Sequence, residues 1–261
     1  MQSLTILKIG GQVLDHAALL NQVLDAWSKT QGHKILVHGG GKLATQLAEK
    51  LGIPQTMIEG RRITDDATLD IAVMVYAGLV NQQLVAGLQS RGLNAWGCSG
   101  ASGNLILSKK RAPKDGVDYG WVGDVEAVNT QSISWMLAAG ICPVFSAITH
   151  DGQGRLLNTN ADTIAQSLAT ALAPNFQVKL VYTFEKSGVL LDVENEASVV
   201  RHLTPSLYDE MKLKGQVHSG MLPKLDNAFA ALQAGVQSVV LGKANVLTEL
   251  LDGQSGTEIS L

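Results

Sequence analysis

Cysteine is almost missing from this chain. Two thiols in 261 residues, Cys98 and Cys142, cannot build a disulfide framework, and they carry no metal-ligand spacing. A disulfide-stapled secreted fold is excluded, and a reducing cytoplasm is the expected setting. Long apolar runs are missing too. None reaches the roughly 18–20 residues that span a bilayer, so no membrane role is expected. The opening residues, MQSLTILKIGG, place no basic segment ahead of the apolar stretch and show no cleavage-type site, which predicts a first strand rather than an export signal. Positive charge is sparse: the net charge is −3, and no basic run exceeds Lys109-Lys110-Arg111. Nucleic-acid interfaces usually show a basic stripe, so none is expected here. Internal repeats, low-complexity segments and Pro/Ser-rich linkers are lacking as well.

What is present is a regular alternation. Strand-like runs at Leu4–Ile9, Ile35–Val37, Leu93–Trp96, Ile141–Ile148, Val178–Thr183 and Ser238–Leu241 alternate with helical patterns. The helical stretches are His16–Ser28, Leu43–Leu51, Ala67–Arg91, Thr130–Ala139, Asn160–Leu172, Pro205–Lys214 and Pro223–Ala234, and Val246–Leu251 closes the chain. This order predicts an α/β fold, an open αβα sandwich around a mostly parallel central sheet. Gly97–Gly123 breaks the rhythm: it is glycine-rich and polar, with Leu105–Leu107 and Tyr119–Val125 as hairpin pieces of a lid or insertion over 97–125. At 46% hydrophobic the chain has material for one large domain or two lobes. Lobes over 1–175 and 176–261 are expected.

The alternation centres on Lys34–Lys42, KILVHGGGK, where a buried strand runs into three glycines and a helix opens. Such a corner exposes backbone N–H groups to a ligand, and the helix dipole favours an anion there. A second glycine corner, Gly10–Gly11, ends the first strand. Glycines also make plain tight turns, but two anion-ready corners at neighbouring strand ends suggest a phosphate passing between two bound molecules.

Known phosphate loops do not fit. A Walker A loop fails because position 36 is leucine and Leu43 follows the lysine. No G-x-G-x-x-G opens an early helix, which leaves a dinucleotide site unsupported. Gly97-Cys-Ser-Gly100 lacks the frame of a serine hydrolase elbow. Lysines and amides remain. Lys8 stands just ahead of Gly10–Gly11, and Asn158-Thr-Asn-Ala-Asp162 puts two amides and a carboxylate on the turn entering a helix. Asp162 also suits a helix dipole and Asn158 a turn, so both readings stay open. Lys224 opens a helix behind Pro223, an unfavourable place for a cation unless an anion joins it, although a solvated lysine is equally compatible.

Taken in order, Lys8-Ile-Gly-Gly11, His38-Gly-Gly-Gly41, Gly60-Arg-Arg-Ile-Thr64, Gly97-Cys-Ser-Gly100, Tyr119-Gly-Trp-Val-Gly-Asp124, Leu157-Asn-Thr-Asn-Ala-Asp162, Gly220-Met-Leu-Pro-Lys224 and Gly256-Thr-Glu-Ile259 resemble the amino acid kinase family over nearly the whole chain. Arg62 in its R-I-T frame, together with N-T-N-A-D, resembles the N-acylglutamate branch. Arg61 beside it is the weaker match to that frame.

The resemblance implies transfer of the ATP γ-phosphoryl group, with Mg²⁺ carried on the nucleotide, to the side-chain carboxylate of N-acetyl-L-glutamate. N-succinyl-L-glutamate is an open alternative, and a non-catalytic binder of acylglutamate or nucleotide is the reading from another class. It implies that Lys8 and Lys224 flank the moving phosphoryl group and that Asp162 orients them. Gly40, Gly41, Arg62, Asn158 and Asn160 are expected to bind the acylglutamate in the N-terminal lobe. Gly10, Gly11, Gly188 and Val189 are expected to bind ATP, and no protein metal ligand is implied. Departures from the family pattern fall at Phe184–Val189, which carries phenylalanine in place of aspartate and is one residue longer, and at Ala101–Ser102. The seven residues before Lys8 leave no space for the N-terminal helix of arginine-inhibited members, so an arginine-insensitive homodimer is expected. The long helix, through Ile71, Val75, Leu79 and Leu84, supplies either the dimer contact or core.

Overall fold

The structure, a computed structural model, describes residues 1–58, 61–217 and 221–261, without the side chains of Arg61 and Pro223. Two motif glycines singled out above, Gly60 and Gly220, thus lie outside the described residues.

In chain order the elements are β1 (Gln2–Ile9), α1 (Gly11–Asp15), α2 (Ala17–Lys29), β2 (His33–His38), α3 (Gly41–Lys50), β3 (Met57–Ile58), β4 (Arg61–Arg62), α4 (Asp66–Gln89), β5 (Ala95–Cys98), β6 (Ile106–Lys110), β7 (Gly123–Val128) and α5 (Thr130–Ala138). They continue with β8 (Cys142–Phe145), β9 (Ile148–His150), β10 (Leu156–Asn158), α6 (Ala161–Leu172), β11 (Phe176–Phe184), β12 (His202–Leu203), α7 (Pro205–Leu213), α8 (Leu222–Gln233), β13 (Ser238–Lys243), α9 (Leu247–Leu251) and β14 (Thr257–Ile259). The chain forms two compact units, Met1–Lys34 with Leu168–Leu261, and Ile35–Ser167.

In the first unit β11 pairs in parallel with both β1 and β13; β14 joins β13 antiparallel and β12 in parallel. Leu4, Ile6, Leu7, Leu180 and Val239 are fully buried, as expected for strands covered on both faces. The closing strand β14 has no counterpart in the sequence reading, where Val246–Leu251 ended the chain. Three residues of strand after a glycine turn give no periodicity to read.

In the second unit β8 pairs in parallel with β2 and β5. The polar middle segment forms part of a separate four-stranded sheet, ordered β10-β9-β6-β7. Ile141–Ile148, expected as one strand, is two strands in different sheets. Ser146 divides them by donating both its N–H and its Oγ–H to the Cys98 carbonyl, at 2.9 and 3.2 Å.

Helix α4 is capped by the Asp65 carboxylate, which accepts from Thr68 N–H at 2.8 Å. Val73–Val80 within it is π-helical, a geometry that is rare and concentrates at functional sites. By length and composition α4 could cross a membrane, yet Ile71, Val75 and Leu84 are buried in the core of their own unit. Leu79, the remaining residue of the four expected on that stripe, is 52% exposed.

Candidate active site

In the second unit, β2 delivers its buried residues Ile35–His38 into Gly39–Gly41. Gly40 cannot carry a side chain, because a Cβ there would stand 2.7 Å from Cδ1 of the Tyr76 ring. Tyr76 projects from the π-helical turn. Helix α3 then opens without a side-chain cap, which leaves first-turn N–H groups for an anion. A Cβ on Gly39 would lie 4.0 Å from that of Ala161, so the corner faces the start of α6. There Asn160 Oδ1 accepts from the N–H groups of Asp162 and Thr163 at 2.7 and 3.2 Å, and Asp162 occupies the first turn.

His38 is a structural pin of this corner. Asn81 Nδ2 donates to His38 Nε2 at 2.9 Å and to the Val144 carbonyl at 2.8 Å. Nε2 is therefore an acceptor, and Nδ1–H donates to the Gly39 carbonyl at 2.8 Å. Burial pushes the imidazole down from its ordinary 6.5 to about 4, against the smaller opposing effect of that Gly39 bond. The folded protein refuses a proton that the unfolded chain accepts below pH 6.5. Stability present above pH 6.5 is thus lost as pH falls toward 4, by about 3 kcal/mol from this group. Urea midpoints compared for wild type and His38→Gln between pH 7 and 4.5 check it: the variant is expected to show a shallower decline.

Arg62, on β4, reaches back over the glycine corner. Its Nη2 donates to the Gly41 carbonyl at 3.0 Å and to Thr45 Oγ1 at 2.8 Å, and its Nη1 donates to Gln55 Oε1. Tyr76 lies beside it; burial raises that phenol above its usual range while the Arg62 charge works in the opposite direction. Asn158, at the end of β10, donates from Nδ2 to Thr64 Oγ1 at 3.1 Å and from its N–H to the Trp121 carbonyl at 2.9 Å. Arg62, Gly40, Gly41, Asn158, Asn160 and Asp162 thus all belong to one unit. Gln55, Thr45 and Tyr76 were missed in the sequence. Thr45 sits one helical turn from Gly41, a readable spacing, but nothing in sequence links Tyr76 or Gln55 to the corner.

In the first unit, Lys8 stands opposite Tyr182 in the β1–β11 ladder, and its carbonyl accepts from Thr183 Oγ1 at 3.2 Å. Gly10 lies so close to β11 that a Cβ would meet the Thr183 carbonyl oxygen at 3.1 Å, whereas Gly11 opens onto free space. Beside them is a cavity of about 230 Å³ lined by Gly10, Gln12, Thr183, Phe184, Lys243 and Asn245 among others. Lys224 is in the first turn of α8.

The divergent loop after β11 is pinned rather than open. Glu196 accepts from Ser187 Oγ at 2.5 Å and pairs with Lys243 at 3.0 Å. The Ser187 hydrogen bond, then Lys243, hold its carboxyl down at about 2. Gly188 packs where a Cβ would stand 2.6 Å from Thr257 Oγ1, and the Val189 N–H donates to that oxygen at 2.8 Å. The Val189 N–H is therefore already engaged within the fold.

A parallel-sheet α/β fold with glycine corners ending β1 and β2, and with lysines on β1 and at the start of α8, defines a phosphoryl-transfer class of protein. The chain belongs to the amino acid kinase family, whose model matches residues 3–243. It is similar to the acetylglutamate kinase of Cytophaga hutchinsonii, at 50% identity over 97% of this chain and 96% of that one. Against the acetylglutamate kinase of Phocaeicola vulgatus the identity is 51%, covering 95% and 96%. Among solved structures, smu.665 of Streptococcus mutans matches with a TM-score of 0.77 and 28% identity, over 98% of each chain. The N-acetylglutamate synthase of Neisseria gonorrhoeae, solved with coenzyme A and N-acetyl-glutamate, shares the fold at a TM-score of 0.83 and 23% identity; this chain covers 59% of it and is itself covered over 99%.

Proposed function

We propose that this protein transfers the γ-phosphoryl group of ATP to the side-chain carboxylate of N-acetyl-L-glutamate, the phosphorylation step of arginine biosynthesis. The observation that carries the reading is the Arg62 guanidinium held over the Gly40–Gly41 corner, within a chain about half identical to acetylglutamate kinases. Ile35–Ser167 takes the acylglutamate and the other unit takes the nucleotide. Arg62 meets the α-carboxylate. Asn158, whose Nδ2 is spent on Thr64, offers Oδ1 to the acylated amide N–H, and Asn160 adds an amide donor. Gly10, Gly11, Gly188 and Val189 shape the nucleotide side.

A side-chain carboxylate with an ordinary pKa of about 4.3 is already ionised, so no base is required. One of its oxygens attacks the γ-phosphorus while the bond from that phosphorus to the bridging oxygen breaks, and ADP leaves. Catalysis is then positioning plus charge stabilisation. Lys8 and Lys224 supply the positive charge, Gly11 and Gly40 the backbone donors, and Asp162 is the organising carboxylate. His38 is no base: it is buried, neutral and bonded at both ring nitrogens. Among the described residues no three His, Cys, Asp or Glu side chains form a metal cage; magnesium enters on the ATP phosphates, its ordinary ligands.

Coupled ADP release with N-acetyl-L-glutamate, N-succinyl-L-glutamate and free L-glutamate tests the reading. Preference for the acetylated substrate is expected. Preference for the succinylated one would keep the chemistry and change the acyl group, and silence on all three from folded protein would overturn the proposal.

We further propose a homodimer working in the reducing cytoplasm, where the buried thiols Cys98 and Cys142, outside any disulfide, are at home. Met74 and Leu79, each 52% exposed, lie five residues apart on the wide π-helical turn. Leu79→Glu is expected to convert the dimer to a monomer in light scattering; an unaltered dimer would place the interface elsewhere.

A further inference from the structure

Arg62 is held in an unusual electrical state. Its partners among the described residues are the Gln55 amide oxygen, the Gly41 carbonyl, the Thr45 hydroxyl and the Tyr76 phenol, and all are neutral. Among the described residues no carboxylate pairs with it, although Asp65 and Asp66 lie close in sequence. Asp65 is engaged in capping α4 through Thr68, and Asp66 pairs with Arg155. A guanidinium has five N–H donors, more than these neutral partners take up. Among the described residues the side chain is therefore oriented by neutral groups and not neutralised by a carboxylate.

The orientation is itself secured. Gln55 Nε2 donates to the Pro54 carbonyl and to Thr68 Oγ1, each at 3.2 Å. With both donors used in this way, Oε1 is the atom left to face Arg62. Thr68 is only 3% exposed and sits in the capped first turn of α4, so the amide is anchored to a rigid element. Thr45 Oγ1 completes the cradle by donating to the Gly41 carbonyl at 3.0 Å while accepting from Arg62. A glutamate at position 55 would reach the same place, bond more strongly and consume the charge that an incoming anion needs.

We infer that Gln55, with Thr45, is a positioning residue that fixes the Arg62 guanidinium through neutral contacts and so reserves its charge for the α-carboxylate of the acylated glutamate. The inference rests on the reading of Arg62 given under the proposed function. Neither residue touches the reacting atoms. Their effect belongs to acylglutamate affinity and not to the phosphoryl step.

Three variants of the full chain test this: Gln55→Glu, Gln55→Leu and Arg62→Ala, each assayed with both substrates varied and its melting temperature recorded. Gln55→Glu is expected to raise the KM for the acylglutamate about 10- to 100-fold, the range of a lost charge-assisted hydrogen bond. Its kcat and its KM for ATP stay within about twofold and its melting temperature does not fall, because the new ion pair replaces a hydrogen bond. Gln55→Leu, which loosens Arg62 but leaves it charged, is expected to raise the same KM less than Gln55→Glu does. A merely structural role would reverse that order, since leucine leaves Arg62 short of an acceptor and glutamate does not. Unchanged acylglutamate KM in Gln55→Glu, alongside its loss in Arg62→Ala, would overturn the inference and leave the reading of Arg62 standing. Unchanged KM in Arg62→Ala would overturn both. If Gln55→Glu does not fold, Thr45→Val takes its place, with a rise in acylglutamate KM at unchanged kcat expected and an unchanged KM contradicting the inference.

Discussion

Lys8→Ala is expected to lower kcat by about 100- to 1000-fold, the scale on which a single preorganised charge or donor acts in a transition state. The reason lies in what the reaction lacks. The acceptor carboxylate and the ATP triphosphate are both anions, and no proton transfer assists their approach, so fixed positive charge must lower the barrier. Lys8 sits on β1 just ahead of the Gly10–Gly11 corner, with its backbone held in register against Tyr182. That ladder does not depend on the ammonium group. Folding should therefore survive: circular dichroism and melting temperature are expected to match wild type while turnover collapses. A Lys8→Ala enzyme with near-normal kcat would remove Lys8 from the phosphoryl step.

The second large effect is on architecture. Gly120 holds φ at +73°, in the left-handed region, and a Cβ there would overlap the Thr64 carbonyl oxygen and stand 2.8 Å from the Thr64 carbonyl carbon. Both are backbone atoms, with no rotamer to move aside. The contact is also locked, since Thr64 N–H donates to the Tyr119 carbonyl at 2.9 Å and Trp121 N–H to the Thr64 carbonyl at 2.6 Å. Gly120→Ala is expected to cost roughly 2–5 kcal/mol, combining left-handed strain with overpacking. Thr64 is two residues from Arg62 and receives the Asn158 amide, so any surviving fold should also bind the acylglutamate more weakly. Urea unfolding gives the first quantity and titration with the acylglutamate the second. Wild-type values in both would mean that the Thr64–Gly120 bridge is dispensable.

Much of this could be read from the residues. The buried strands β1, β2, β11 and β13 announce themselves as apolar runs, and the glycine corners and flanking lysines follow directly from them. The division of Ile141–Ile148 could not be read, because it depends on Ser146 meeting a carbonyl 48 residues away. The Arg62 cradle was hidden for the same reason. Gln55 is seven residues from Arg62 and Thr45 seventeen, but Gln55 lies in a loop, Thr45 on α3 and Arg62 on a two-residue strand, so no single element's period links them. The family pattern marks Arg62 and says nothing of what holds it. The π-helical widening of α4 was equally silent, since Val73–Val80 reads as ordinary helix until Tyr76 is seen against Gly40.

The most direct test of carboxylate phosphorylation is the ratio of products. The protein would be incubated with ATP, Mg²⁺ and N-acetyl-L-glutamate in the presence of hydroxylamine, which converts an acyl phosphate to a hydroxamate. One hydroxamate for each ADP released is expected, with neither formed when the acylglutamate is omitted. ADP released without hydroxamate would reveal phosphoryl transfer to water or to another group, and would contradict the assignment of the side-chain carboxylate as acceptor.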